Sequence, residues 1–352
     1  MTRSIPVLYY HRIGAPDPLH LSIPTALFDR QIGFLIRRGF RGITLGQLLR
    51  HLAGTAPVNH PTFVVTFDDG FRDNLTEAWP VLRRHRCPAT IFMVGRLIRP
   101  PDQPPSSMPR DFNAAHRAAC QGDLSDFLSR QEMQEMHASG LIEFHSHSLS
   151  HRQVFTGCTL TGVYPDTDAH WGVLSAYGAG LPERSWPVFP RAPGLTAPAW
   201  EPDLGRLQAA GRDWSREWQE WQAGRGKTVP AVPAEWFRIE STAAYERRVR
   251  EELAASRALF QGFHEPGTDL ICWPWGAFTP AVVQWAREEG YHGALTTASG
   301  PTLPGGDPFA IPRYPVKKGD LARFALGIWL RTSPTLARVY GVIRRWGRPR
   351  GT

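Results

Sequence analysis

The sequence predicts an α/β fold built on a parallel sheet or barrel. Short apolar, β-rich runs alternate with segments of helical periodicity, and chemistry-bearing residues follow directly on several of those runs. In folds of this class the chemistry collects at the C-terminal ends of the strands.

Taken in order, residues 5–10 (IPVLYY) read as a buried strand, and the periodic Leu27, Phe28, Ile32, Leu35 and Ile36 predict a helix over 25–39 that stops at Gly39. A second strand, 62–67 (TFVVTF), runs straight into Asp68-Asp69-Gly70. A helix over 75–85, a strand over 89–94 (ATIFMV), a helix over 131–139 and a strand over 141–144 follow, the last ending at a histidine cluster. Two segments interrupt the pattern. Residues 99–111 (RPPDQPPSSMPRD) are a proline-rich loop that opens an insertion over 99–130, and residues 158–238 are dense in Gly, Pro and Trp. That second insertion either packs its tryptophans into a small satellite core or caps the site and presents them to sugar faces. The alternation resumes with a helix over 243–261, a strand over 269–273, a helix over 280–289 and a strand over 292–296. These boundaries divide the chain into 1–157 and 239–318 as two parts of one barrel, 158–238 as insertion, and 319–352 as a basic C-terminal tail.

The 352 residues are 42% hydrophobic, enough for one large or two modest cores. A net charge of +8 favours anionic surroundings without choosing among phospholipid, phosphate or nucleic acid. Cys87, Cys120, Cys158 and Cys272 form no C-x-x-C pair, which argues against a zinc finger or disulfide framework and for reduced thiols in a cytoplasmic protein. No h-region of a signal peptide is visible at the N-terminus. In the tail, Leu321, Phe324, Ala325, Ile328 and Trp329 recur at helical spacing among Arg323, Arg331, Arg338, Arg344, Arg345, Arg348 and Arg350. The pattern fits a basic amphipathic helix at a membrane surface, and equally a helix packed on the domain with solvated arginines.

Two elements carry chemistry. Adjacent carboxylates such as Asp68 and Asp69 repel in a tight turn unless a cation or separate tasks hold them. His147 and His151, four apart, would share one face of a helical turn and chelate one metal. With one aspartate they make a two-His, one-carboxylate set with open positions, suited to acidifying water.

TFDDG and HSLSH, together with IPVLYYHRIG, CPATIFMVG and CWPWGAFTP, make the sequence similar to the polysaccharide deacetylase (NodB-homology) family of carbohydrate esterases. The resemblance covers roughly 5–155 and 240–316 and leaves the two insertions outside it. It implies a distorted (β/α) barrel and hydrolysis of an acyl group from a sugar nitrogen. Carried over by position, Asp68 is the base and Asp69, His147 and His151 hold a divalent metal, with zinc first and cobalt, nickel or manganese compatible with the same ligands. Trp275 stands where the family more often has Tyr beside the oxyanion-binding backbone N–H. The family's late L-x-H is not evident, so His145 and His292 are candidate acids, His292 reading more simply as structural. Arg313 either orients Asp68 by a charge-assisted hydrogen bond or caps the barrel. His11, His145 and Trp273 are candidate substrate contacts.

The reading that follows is an amino-sugar deacetylase acting on a glycan, a lipid-linked sugar or a glycoside. A cytoplasmic location with peripheral contact at the inner membrane face would suit a lipid-linked sugar. The rival is a non-catalytic carbohydrate-binding protein on the same scaffold. Nucleic acid is not expected as a partner, because no recognition motif accompanies the charge.

Overall fold

The computed structural model describes residues 3–15, 21–56, 58, 60–178, 185–225, 228–317 and 319–346, with side chains through 342. Its centre is a curled, all-parallel sheet of β1 (Val7–Tyr10), β2 (Thr62–Asp69), β3 (Ala89–Met93), β4 (Ile142–Ser146), β5 (Leu270–Cys272), β6 (Gly293–Leu295) and β7 (Tyr314–Pro315). The spatial order is β6-β5-β4-β3-β2-β1-β7, with the short strand Arg41–Gly42 added alongside β2. Both edges are met by one segment: Ile311 bridges Leu295 of β6, while Tyr314 pairs with Leu8 of β1. The sheet thereby curls into a barrel-like layer, as the sequence led us to expect.

Every residue of β2 is buried, as required of a strand covered on both faces. Residues two apart share a face, and the two faces enter different clusters. Phe63, Val65 and Phe67 pack outward with Ile91, Met93, Ile142 and Phe144. Val64 points inward with Phe92, Leu270, Cys272 and Leu295.

The helices are α1 (Thr25–Arg37), α2 (Leu45–Leu52), α3 (Trp79–His85), α4 (Phe112–Cys120), α5 (Arg130–Ala138), α6 (Trp171–Tyr177), α7 (Leu204–Ala209), α8 (Trp214–Gln222), α9 (Thr242–Phe260), α10 (Pro280–Glu288), α11 (Leu321–Thr332) and α12 (Pro334–Trp346). Capping boxes open α2 and α5: Thr44 with Gln47, and Ser129 with Glu132, satisfy each other's first-turn donors. Ahead of α3 the chain makes a π-helical turn, Asn74–Ala78, where the sequence predicted an unbroken helix. The turn lets Asn74 Nδ2 donate to the His11 carbonyl at 3.0 Å, tying the segment after β2 to the one after β1.

The two insertions hold more structure than their composition suggested. Within 99–130 the proline-rich stretch gives way to α4, capped by the Asp111 side chain on the Ala114 amide. Residues 158–238 build a satellite core in which Trp186, Trp214 and Trp218 are buried with Phe155 and Phe189. Most of its aromatics follow the packing alternative, and Trp171, below, does not. The tail forms two helices, because Pro334 supplies no amide donor and ends α11 before starting α12. Arg348 and Arg350, and the side chains of Arg344 and Arg345, lie outside what is described.

Candidate active site

At the end of β2 the chain reverses through two consecutive left-handed residues, Asp69 (φ 72°) and Gly70 (φ 78°). Only glycine fits the second position, since a Cβ there would lie 1.8 Å from Met93 Sδ. The turn leaves Asp68 facing the barrel interior and aims Asp69 at the histidines. Both carboxylates are buried, at 3% and 1% exposure.

Their environments push them apart. Arg313, 2% exposed, grips Asp68 with both arms of its guanidinium, Nη1 on Oδ1 at 2.7 Å and Nη2 on Oδ2 at 2.8 Å. Its Nε donates to the Thr296 carbonyl at 3.0 Å and its plane lies over Tyr9 at 4.3 Å. Burial alone would raise the Asp68 carboxyl, but the charges of Arg313 and His147 and the Arg313 hydrogen bonds overcome it and hold the group well below the usual carboxylate range. Asp69 goes the other way: burial, then the charge of Asp68, raise it well above that range. Of the two functions open to Arg313 from sequence, the geometry has it orienting Asp68.

Asp69 Oδ1 is buried without a hydrogen-bond partner, 3.6 Å from His147 Nε2 and 3.8 Å from His151 Nε2. His147 donates Nδ1–H to the Cys272 carbonyl at 2.8 Å, which leaves the Nε2 lone pair facing Asp69. The expected helical turn is absent. Ser148 (φ 66°) and His151 (φ 50°) are left-handed, and the loop is pinned by Ser146 Oγ accepting from the Ser148 amide and Ser148 Oγ from the His151 amide. The two rings still converge, 4.6 Å between centroids. Asp69, His147 and His151 therefore offer three buried donor atoms within 4.8 Å of one another, with an orphaned carboxylate oxygen at their centre, which fits a divalent cation.

These residues open into a cavity of about 220 Å³ that Tyr9, His11, Phe112, His170, Trp273, Trp275, Thr297 and Arg313 help to line. His11 stands edge-on to Tyr9 and Phe112. Trp275 is held left-handed (φ 61°) in the short turn Pro274–Gly276 that follows β5. Trp273 is fully buried and spends its indole N–H on the Phe309 carbonyl at 3.2 Å, so it forms wall rather than a free sugar platform.

Sequence reasoning missed two histidines. His116 of α4 is buried with Nδ1 on the Phe112 carbonyl, its Nε2 unpartnered and 4.0 Å from Asp69 Oδ2; burial lowers its pKa to about 3. His170, the cap of α6, accepts the Gly172 amide on Nδ1. Trp171 beside it is wedged between His116 (4.5 Å) and Trp275 (5.3 Å), and the Trp275 ring reaches His151 at 5.0 Å. Both insertions thus contribute to the site, although no motif marks them.

The two candidate acids fall elsewhere. His145 is not in the cavity wall; it stacks on His264 at 4.3 Å inside the barrel, two residues and one layer below His147. Its place on β4, with its side chain turned to that lower layer, is why it does not reach the cavity. His292 precedes β6 at the opposite barrel end and faces Asp269 at 3.6 Å, as the structural reading had it.

Residues 55–184 match the family model described as polysaccharide deacetylase. Among curated proteins, Bacillus subtilis (strain 168) YxkH, named as a polysaccharide deacetylase, is 27% identical over 150 residues, 43% of this chain and 44% of that protein. Poly-β-1,6-N-acetyl-D-glucosamine N-deacetylase of Escherichia coli (strain K12) is 26% identical over 137 residues, 38% of this chain and 19% of the relative. Each match takes in less than half the relative's length. In fold, the chain is similar to the deacetylase domain of BpsB from Bordetella bronchiseptica (TM-score 0.56, 22% identity, 89% of this chain and 96% of that one). A de-N-acetylase from Aggregatibacter actinomycetemcomitans gives a TM-score of 0.58 at 17% identity, covering 92% and 99%. The family model falls across the Asp68-Asp69 turn and the His147/His151 loop, so over residues 55–184 the chain is similar to the polysaccharide deacetylase family.

Proposed function

We propose that this protein hydrolyses an N-acetyl or N-formyl group from an amino sugar, in a glycan, a lipid-linked sugar or a glycoside. The observation that carries the reading is the division of labour between neighbouring carboxylates: Asp68 clamped and ionised by Arg313, Asp69 turned toward two histidines with an oxygen unpartnered. Asp69, His147 and His151 would hold a divalent metal, zinc before cobalt, nickel or manganese, which supplies Lewis acidity toward the amide carbonyl and the attacking water. Asp68 takes the proton of that water as its oxygen bonds to the carbonyl carbon. Arg313 holds both Asp68 oxygens in place and leaves each a further lone pair for the water. The carbonyl oxygen, as it gains charge, accepts from the Trp275 backbone N–H, and the C–N bond then breaks as the proton held on Asp68 passes to the departing nitrogen, leaving the free amine and the released carboxylate. His11 and the Trp275 ring shape the pocket around the sugar. A non-catalytic sugar binder would leave the Arg313–Asp68 pair without a task.

The test is release of acetate and formate from chito-oligomers, a polyprenyl-phosphate amino sugar and small N-acylglucosaminides, with metal content measured in parallel. Wild type should release acyl group, and Asp68→Asn should lose about 10²–10⁴-fold in rate while retaining metal. A variant as fast as wild type overturns the base assignment. Metal-loaded wild type inert toward the whole panel overturns the substrate class.

A further inference from the structure

The +8 surplus of the chain is confined to its C-terminal segment. Residues 317–352 hold nine of the 40 basic residues and one of the 32 acidic ones, so the preceding residues are balanced. This segment begins with a hairpin of α11 and α12 fixed to the barrel. Phe324 and Ile328 are buried in the outer barrel core, and Gly327 lies so close to Tyr314 that a Cβ would come within 2.0 Å of its hydroxyl. Arg331 turns inward rather than to solvent, its guanidinium 3.7 Å from the Tyr314 ring centre and 4.6 Å from that of Tyr340, with Nη1 donating to the Gly327 carbonyl.

With that face committed to packing, the opposite face ought to be polar, and it is not. Leu326 and Trp329 of α11 are 55% and 60% exposed, and Val339 and Val342 of α12 are 51% and 53% exposed. They are four of the nine large apolar side chains that the described residues leave exposed. Arg323 and Arg338 are exposed among them and make no ion pair among the described residues. Apolar side chains interleaved with unpaired arginines are the composition of a helix lying in a headgroup layer, where the rings and aliphatic chains enter the acyl boundary and the guanidinium groups meet phosphate. Neither helix is long and apolar enough to cross a membrane, which leaves lying on the surface as the mode.

We infer that the outer face of the α11–α12 hairpin docks this protein on an anionic lipid surface. Charge complementarity selects that occupant over a second copy of the chain, because a two-fold interface on this face would set one basic segment against another. It also selects against nucleic acid, which matches the arginines but leaves Leu326, Trp329, Val339 and Val342 unused. The inference stands independently of the proposed reaction, since none of these residues lines the catalytic cavity.

The test is co-sedimentation of the full chain with vesicles of phosphatidylcholine carrying about 30% phosphatidylglycerol, compared with pure phosphatidylcholine. Wild type should partition onto the anionic vesicles, at least about tenfold more than onto neutral ones, and elute with raised salt. Leu326→Ser with Trp329→Ser should lower partitioning by at least about tenfold at an unchanged melting temperature, and Arg323→Gln with Arg338→Gln by roughly fivefold per arginine. Both pairs are exposed, so a loss of binding cannot be put down to unfolding while the melting temperature holds. Absence of vesicle binding, equal binding to both compositions, or insensitivity to both double variants overturns the inference. So does a lipid-free doubling of mass that the Leu326/Trp329 variant abolishes, which gives the face to a second copy. Oligonucleotide binding that tracks the arginines but not Leu326 and Trp329 likewise overturns it.

Discussion

Two groups of buried histidines and carboxylates share the inside of this barrel, and they are built to opposite ends. In the upper group the Nε2 atoms of His147 and His151 converge on one orphaned oxygen of Asp69, and His147 is backed by a carbonyl on its other nitrogen. In the lower group His145 lies face to face with His264 at an interplanar angle of 15°. Glu143 stands 3.9 Å from His145, and Asp269 is shared among Arg257, His264 and His292. Composition does not separate the groups. Direction does: lone pairs meeting at a point have the geometry a metal would need, whereas parallel rings with peripheral carboxylates make a packed polar layer.

Replacing one histidine in each group gives the widest separation. His147→Ala removes a donor from a three-residue set, and we expect metal content to collapse and acyl release to fall by at least about 10³-fold. His145→Phe swaps one planar ring for another at a position where neither nitrogen makes a hydrogen bond. It should keep its metal and lie within about threefold of wild-type turnover. Metal analysis with the acyl-release assay reads both. Equal losses in the two variants would mean the lower layer is coupled to the site after all.

Arg313 gives the next effect in size. Lysine keeps the charge but offers a point where the guanidinium offers a fork that spans both Asp68 oxygens and the Thr296 carbonyl. Arg313→Lys should lower kcat by roughly 10–100-fold with KM and metal content little changed, because it would misplace Asp68, the proposed base, without touching the proposed metal ligands. A change in KM alone would make Arg313 a structural cap.

The parts of this site that were legible in the sequence were those written by neighbours in the chain. Asp68-Asp69-Gly70 directly after a β-rich run, and His147 with His151 after another, announce themselves because a strand end fixes where the next residues point. Arg313 was visible only as a candidate, since its partner is 245 positions away. His116 and His170 were missed because they sit in segments with no strand or helix rhythm to anchor them, and a lone histidine on a short helix carries no signal of what it faces. The barrel was read from alternation, yet its closure through Ile311 and Tyr314 was not, since the segment is too short for periodicity to register. His145, a candidate acid and substrate contact from sequence, lies outside the cavity because two residues along a strand from His147 is one layer away.

The smallest predicted effect concerns pH and the lower layer. Burial, foremost, lowers the His145 pKa to about 4, with the charge of His264 adding to that and Glu143 opposing it. An unfolded chain takes up this proton near its ordinary value of about 6.5. As pH falls from about 6.5 toward 4 the unfolded state therefore binds more protons than the folded one, and stability is lost across that window and is fully present above it. At about 1.4 kcal/mol per unit, the contribution missing at pH 5 is about 2 kcal/mol. His145→Phe has no proton to take up, so its stability should fall less between pH 7.5 and pH 5, by about that amount. Denaturant midpoints for both metal-loaded proteins at the two pH values measure the difference, and because the upper histidines are common to both, their titration cancels. Parallel losses would show that the His145 ring reaches solvent or a proton donor before the barrel opens, and the contrast between the two layers would then be one of geometry without the electrostatic consequence drawn from it.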